Sequence, residues 1–251
     1  MRRWRNERRH GACLVFAALI VAFAGGVVSS AAQGARPSPP RAVVFSGYTW
    51  SVKAGAGKVG PGPNYFSSSP DNVWVDGQGR LHLKITYSRG RWYCAEVVNT
   101  QSLGRGSYTW TLDSSAGGLD PNVVLGLFTW NDDPAYNHRE IDIELARWGN
   151  ASDPTNGQYV VQPYDHPGNL VRITQPAVAG PSTHGFTWGA TSVAFASSSA
   201  SPGSWLYEGL DVPQPGGENA RMNLWLFRGM PPSNGQPIEV VVHGFTFTPA
   251  P

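Results

Sequence analysis

The stretch NVWVDGQGRLHLKITYS, residues 72–88, narrows the possible folds more than any other part of this chain. Val73 and Val75 lead into an Asp-Gly turn, after which Leu81, Leu83 and Ile85 alternate with His82, Lys84 and Thr86. Successive side chains of a strand point to opposite faces, so alternation of this kind marks a half-buried strand, and the Asp-Gly pair marks a hairpin. Comparable segments recur: AEVVNT, GSYTWTLD, NVVLGLFTW, IDIEL, QYVVQPY, LVRIT, TSVAFAS, NLWLFR and IEVVVHGFTFT. Turn residues bound each of them, drawn from 30 Gly and 21 Pro, and no long helical periodicity separates them. Many short strands without crossover helices exclude a parallel α/β sheet and predict an all-β sandwich or jelly roll.

The first residues follow other rules. Five Arg lie within residues 1–10, the apolar run ACLVFAALIVAFAGGVV follows, and the small residues SSAAQG close the segment. This order predicts a secretory signal peptide over residues 1–32, hence a secreted protein, no membrane association after cleavage, and a Pro-rich linker over residues 33–41. A retained single membrane anchor is the alternative. The leader takes five of the 19 Lys and Arg and one of the 17 Asp and Glu, so the remainder carries 14 basic and 16 acidic residues, a net −2. That balance leaves no basic footprint for a nucleic acid. Beyond the leader only Cys94 remains, which excludes an intramolecular disulfide, so a hydrophobic core must hold residues 42–251 together as one domain.

Function is most legible in HREIDIELARWG, residues 138–149. As a helix it would stack Glu140 and Glu144 as repelling neighbours. As a strand it sends Ile141, Ile143 and Leu145 to one face and Glu140, Asp142 and Glu144 to the other. The β-branched residues favour the strand. A rise of ~3.3 Å per residue separates the outer two Cα atoms by about 13 Å, and a concave sheet would bring the carboxyls closer. Paired carboxyls cleave glycosidic bonds, with either of two separations and stereochemical outcomes, between which sequence spacing does not choose. A third acid between the pair can hold a proton and keep its neighbours in unequal ionisation states. The alternatives are a solvated acidic face or a calcium site.

EIDIE resembles the active-site signature of glycoside hydrolase family 16, secreted β-jelly-roll enzymes acting on β-linked polysaccharides. Blocks similar to that family follow one another in its order: PGPNYFS, GSYTW, VVLGLFTW, HGFTWGATSVAF, RMNLWLF and VVVHGFTF, so the resemblance runs from Phe45 to Phe247. It implies a two-sheet antiparallel β-sandwich of the concanavalin A-like type with an open substrate cleft. It further implies a retaining endo-glycosidase, with Glu140 as nucleophile, Glu144 as general acid/base and Asp142 as the assisting acid. A β-glucan is the expected substrate, and a transglycosylase on the same site or a non-catalytic carbohydrate-binding sandwich domain are the alternatives. No cofactor and no catalytic metal are required, although a structural calcium stays open, and a monomer is expected. The loop ASSSASPGS, the segment VVQPYD and the insertion NDDPAYNHR depart from the better-known glucanases.

Ten Trp and nine Tyr exceed what a core of this size needs, so some rings are expected on the cleft face, where they can stack on sugars. Trp130, ending the strand before the acids, and Trp148, following them, are the sugar-platform candidates. Gln162, Asn64, Tyr93, Glu96 and Arg139 are the further substrate-binding candidates. His184, within HGFTW, reads as a structural hydrogen-bonding residue.

Overall fold

The computed structural model describes residues 40–113 and 116–251. The expected leader, and the linker up to residue 39, lie outside the described residues. In chain order the strands begin with β1 (Ala42–Phe45), β2 (Tyr48–Val52), β3 (Tyr65–Phe66), β4 (Val73–Val75) and β5 (Leu81–Ser88). Next come β6 (Arg91–Asn99), β7 (Gly106–Leu112), β8 (Val123–Trp130), β9 (Ile141–Leu145), β10 (Gly157–Val161) and β11 (Leu170–Ile173). The series ends with β12 (Ser182–Trp188), β13 (Val193–Ser197), β14 (Ser204–Tyr207), β15 (Asn219–Leu226) and β16 (Ile238–Pro249). The described helices are single 3₁₀ turns, and among the described residues no helix is long and apolar enough to cross a membrane.

Hydrogen bonding arranges these strands as two antiparallel layers, with the two-residue β3 added parallel to β6. The front layer runs β1-β2-β6-β15-β8-β9-β10-β11, and the back layer β4-β5-β16-β7-β12-β13-β14. The β5–β6 hairpin passes from one layer to the other. The hairpin read from residues 72–88 is present, but its connection is longer than a two-residue turn: Val75 pairs with Leu81, leaving five residues between them. Asp76 organises that connection, its carboxylate accepting the backbone N–H groups of Gln78 and Arg80 at 2.9 Å each.

Alternation builds the core. The front layer contributes Val97, Leu125, Leu127, Ile141, Ile143, Leu145, Met222 and Leu224, and the back layer Leu83, Ile85, Trp110, Phe186, Trp188 and Phe195, all buried. Aromatic residues dominate the centre. Trp50 meets Phe245 edge-on at 5.2 Å between centroids, and Tyr159 stacks on Phe195 at 5.1 Å. Fully burying one such side chain contributes roughly 1.5–3 kcal/mol, so the excess of rings is partly a core requirement. His184 is buried between Ser197 Oγ at 2.9 Å and Ser182 Oγ at 3.0 Å, and burial pushes its pKa down to about 4. The front layer's second face is left for other uses.

Candidate active site

Packing of Ile141, Ile143 and Leu145 into the core turns Asp142 and Glu144 outward. Glu140 precedes the strand in extended geometry (φ −92°, ψ 125°), and its carbonyl accepts the Gln162 N–H at 3.2 Å, so the ladder already includes it. The acid row is therefore extended and single-faced, as its alternation with Ile and Leu requires.

Strand register then assembles the surroundings. Glu144 lies opposite Gly126 of β8 on one side and Gln158 of β10 on the other. From Gly126 the same level continues to Asn223 of β15 and Glu96 of β6. Gly126, Asn223 and Glu96, with Lys53, Phe128, Trp130, Arg221 and Trp225, line a cavity of about 850 Å³ that holds Glu140, Asp142 and Glu144 along one side. A side chain at Gly126 would put its Cβ 2.5 Å from Asn223 Oδ1, which accepts the Gly126 N–H at 3.1 Å. The glycine therefore makes room for that amide on the cavity floor.

A second set of charges faces the acids across the floor. Glu96, 1% exposed, pairs with Lys53 at 2.8 Å and with Arg221 at 3.5 Å. Lys53 also donates to the Gly60 carbonyl at 2.8 Å, tying the loop that includes Val59 and Pro61 to the floor. Glu96 Oε1 and Arg221 Nε have no hydrogen-bond partner. With its ion pairs and the Asn223 amide the floor is polar, which suits it to hydroxyl groups.

Burial is the largest influence on all three acids. It pushes Glu140 up to about 8 and Glu144 up to about 7, and holds Asp142 well above the ordinary aspartate range. Repulsion from Glu140 and Glu144 adds to the effect at Asp142. Opposing it at Glu140 are a hydrogen bond from Asp142 and the charge of Arg221. Gln162 Nε2 donates to Asp142 Oδ2 at 3.1 Å, which leaves the other oxygen of Asp142 to carry the proton it donates to Glu140. Gln158 Nε2 donates to Glu144 Oε2 at 2.7 Å. The three acids therefore influence one another's ionisation, and all are held above the ordinary carboxylate range.

The insertion NDDPAYNHR folds into a turn with four successive positive φ values, Tyr136 at 53°, Asn137 at 50°, His138 at 61° and Arg139 at 52°. Left-handed backbone costs about 1 kcal/mol or more at each side-chain-bearing residue, so neighbouring contacts must hold it. Thr129 Oγ1 donates to the Arg139 carbonyl at 2.8 Å, and the buried Arg139 guanidinium packs against Gly216, where a Cβ would collide with it. The result lays the His138 ring flat on Trp130, 4.0 Å between centroids and 7° between planes, two residues before Glu140.

The remaining substrate-binding candidates are divided. Trp130 and Glu96 line the cavity. Gln162 and Trp148 stand behind it: Gln162 on Asp142, and Trp148 packed on Trp225 and Phe227 with its Nε1 donating to Gln158 Oε1 at 3.3 Å. Asn64 is buried away from the cavity lining, its amide donating to the carbonyls of Pro61 and Leu226 at 2.9 Å each. Tyr93 pairs with Thr86 on one side and Tyr65 on the other, its ring 6.0 Å from that of Tyr65. Arg139 is a clamp beneath the turn. Sequence reading passed over Lys53, Arg221, Asn223, Trp225 and Gln158. Among the described residues no group of three or more His, Cys, Asp or Glu side chains is arranged to hold a metal ion.

No protein-family model matches the chain, and no curated protein is similar to it at a significant level. Solved structures share its fold. A prokaryotic β-1,3-1,4-glucanase (lichenase) from a mouse hindgut metagenome superposes with a TM-score of 0.59 at 18% identity, covering 80% of this chain and 93% of that one. A β-1,3-glucanase from Mycobacterium marinum gives 0.60 at 19% identity over 77% and 88%. An immunostimulatory antigen and pseudo β-1,3-glucanase of Mycobacterium tuberculosis gives 0.56 at 20% identity over 80% and 91%.

Proposed function

We propose that this chain is a retaining endo-glycosidase of the family 16 type that hydrolyses internal β-glycosidic bonds of a β-glucan. The observation that carries the reading is the acid row itself: one buried and two half-buried carboxyls on one strand face, all with raised pKa values, along one side of a cavity floored by Glu96, Arg221 and Asn223. The glucanases among proteins of this fold support the choice of β-glucan. Export through the leader accompanies the proposal, and N-terminal sequencing of the exported protein tests it.

In the first step a Glu140 carboxylate oxygen attacks the anomeric carbon while Glu144 gives its proton to the glycosidic oxygen, which departs as a free hydroxyl. A glycosyl ester on Glu140 results, and Glu144 is now a carboxylate. In the second step Glu144 takes a proton from water, the water oxygen attacks the anomeric carbon, and Glu140 leaves as a carboxylate. Asp142 keeps its own proton throughout. Its hydrogen bond stabilises the Glu140 anion before attack and again as that anion leaves. Raised pKa values suit the acid, which must stay protonated near neutral pH.

The test is release of new reducing ends from mixed-linkage β-glucan. Glu140→Gln and Glu144→Gln should each lower turnover by about a thousandfold or more while melting cooperatively. Wild-type turnover in either variant refutes the proposal. The second reading, a binding domain without turnover, is favoured by the pseudo-glucanase of the same fold. It predicts polysaccharide binding with no new reducing ends from the wild-type protein.

A further inference from the structure

Behind the acid row lies a chain of contacts that the cavity does not include. Arg172 on β11 donates from Nε to Thr155 Oγ1 at 2.9 Å and from Nη2 to Asp153 Oδ2 at 3.1 Å, the Ala146 carbonyl at 3.2 Å and the Thr155 carbonyl at 3.3 Å. Its remaining contact is from Nη1 to Gln158 Oε1, at 3.1 Å. Trp148 Nε1 approaches the same oxygen, at 3.3 Å. Trp148 (φ 53°) and Gly149 (φ 78°) are both left-handed, so the chain leaving β9 turns sharply where the indole meets Gln158.

These two donors decide how the Gln158 amide lies. An amide offers one oxygen that accepts and one nitrogen that donates. With two N–H groups on the oxygen, the nitrogen must face Glu144, where it donates to Oε2 at 2.7 Å. The reversed amide would set NH₂ against two donors and its oxygen against a carboxyl oxygen, losing three hydrogen bonds at once. We propose that Arg172 is a positioning residue for Glu144: by fixing the Gln158 amide it commits Glu144 Oε2 to accepting and leaves Oε1 to carry the transferable proton. The inference rests on the reading of Glu144 as general acid/base. When the Oε1–H bond breaks toward the glycosidic oxygen, the electron pair stays on the carboxyl. That new anion is met by the N–H of Gln158 and, one residue behind it, by the charge of Arg172, both of which favour the ionised form.

The charged and titratable groups facing Glu144 are few. Its own strand supplies Asp142 and, ahead of the strand, Glu140, and β11 supplies Arg172. At that level β8 presents Gly126, β10 presents Gln158 and β15 presents Asn223, all uncharged, while Arg221, two residues along β15 from Asn223, bears on Glu140. Glu96 lies three strands away, about 14 Å at ~4.8 Å per strand. Arg172 is therefore the cation whose removal should register at Glu144.

Arg172→Met, Arg172→Lys and Gln158→Met provide the test. The Glu144 carboxyl is titrated by ¹³C NMR in a Glu140→Gln background, and the pH profile of kcat on mixed-linkage β-glucan is measured with Glu140 intact. Arg172→Met and Gln158→Met should each raise the Glu144 midpoint by about one unit, with the basic limb of kcat moving up in step. Turnover should fall about tenfold, with KM within twofold, and Arg172→Lys, which can still reach Gln158 Oε1, should recover most of it. A folded Arg172→Met protein with midpoint and limb unmoved overturns the inference, leaving Arg172 as a tether for residues 153–155. Should that variant not fold, an unmoved midpoint in Gln158→Met has the same force. Failure of the parent reading looks different: Glu144→Gln would then retain turnover, whatever the NMR midpoint does.

Discussion

Replacing Glu140 by Gln should stabilise the fold, and by an amount that depends on pH. Glu140 has its pKa pushed from 4.5 to about 8, chiefly by burial. A carboxyl whose folded-state pKa lies above its unfolded one contributes its full stability below the unfolded value, and that contribution is lost as pH climbs through the folded one. At pH 5 the unfolded chain gains little by ionising. At pH 7 it ionises freely, whereas in the folded row a carboxylate at Glu140 forms only against burial, with Asp142 and Glu144 keeping their protons. For an isolated group, 1.36 kcal/mol per unit makes the difference between those pH values roughly 2.5 kcal/mol. Sharing of charge across three acids reduces it to about 1–2 kcal/mol, or about 2–8 °C in Tm for a domain of this size. Gln keeps an oxygen to accept the Asp142 proton and cannot ionise. Thermal melts followed by near-UV circular dichroism at pH 5 and pH 7 provide the assay. The variant should melt a few degrees above the wild type at pH 7 and close to it at pH 5. An equal gap at both values, or a variant less stable at pH 7, would refute the assignment of a strained, burial-shifted acid.

Two further substitutions probe the surroundings. Asp142→Asn retains a donor to Glu140 but a weaker one, so turnover should fall by roughly 10–100-fold and the acid limb of kcat/KM should move to higher pH; an unmoved limb contradicts proton donation by Asp142. Gly126→Ala drives a methyl to within 2.5 Å of Asn223 Oδ1, so it should cost about 1–3 kcal/mol in denaturant unfolding and lower kcat/KM, and a variant of unchanged stability and activity would show that the floor amide is free to move.

Residues 72–88 and the acid row were legible because their periodicity is local: Leu81, Leu83 and Ile85, and likewise Ile141, Ile143 and Leu145, declare a buried face within one strand. The cavity floor carries no such signal. Arg221, Asn223 and Trp225 reach the acids through β15–β8 pairing across about a hundred residues, and register at that distance is set by packing of the whole front layer. The surroundings of Asn64 are hidden from the sequence for a related reason. A polar residue in a Pro-Gly-rich loop looks free to meet a ligand, but here it closes its own loop onto Leu226. Trp130 lines the cavity beside the acids at the end of its own strand, whereas the His138 ring covering one of its faces depends on a left-handed turn that no short motif announces. Strand β14 follows the loop ASSSASPGS and is only four residues long, too short for its alternation to stand out.

The claim on which the mechanism stands is that Glu140 forms a bond to sugar. Incubating the protein with a 2-deoxy-2-fluoro β-glucan oligosaccharide bearing a fluoride leaving group, then mapping the labelled peptide by mass spectrometry, tests it directly. The account predicts one added glycosyl group per chain, located on Glu140 and absent from Glu140→Gln. A label on any other side chain, or steady turnover of the reagent by Glu140→Gln, would contradict it.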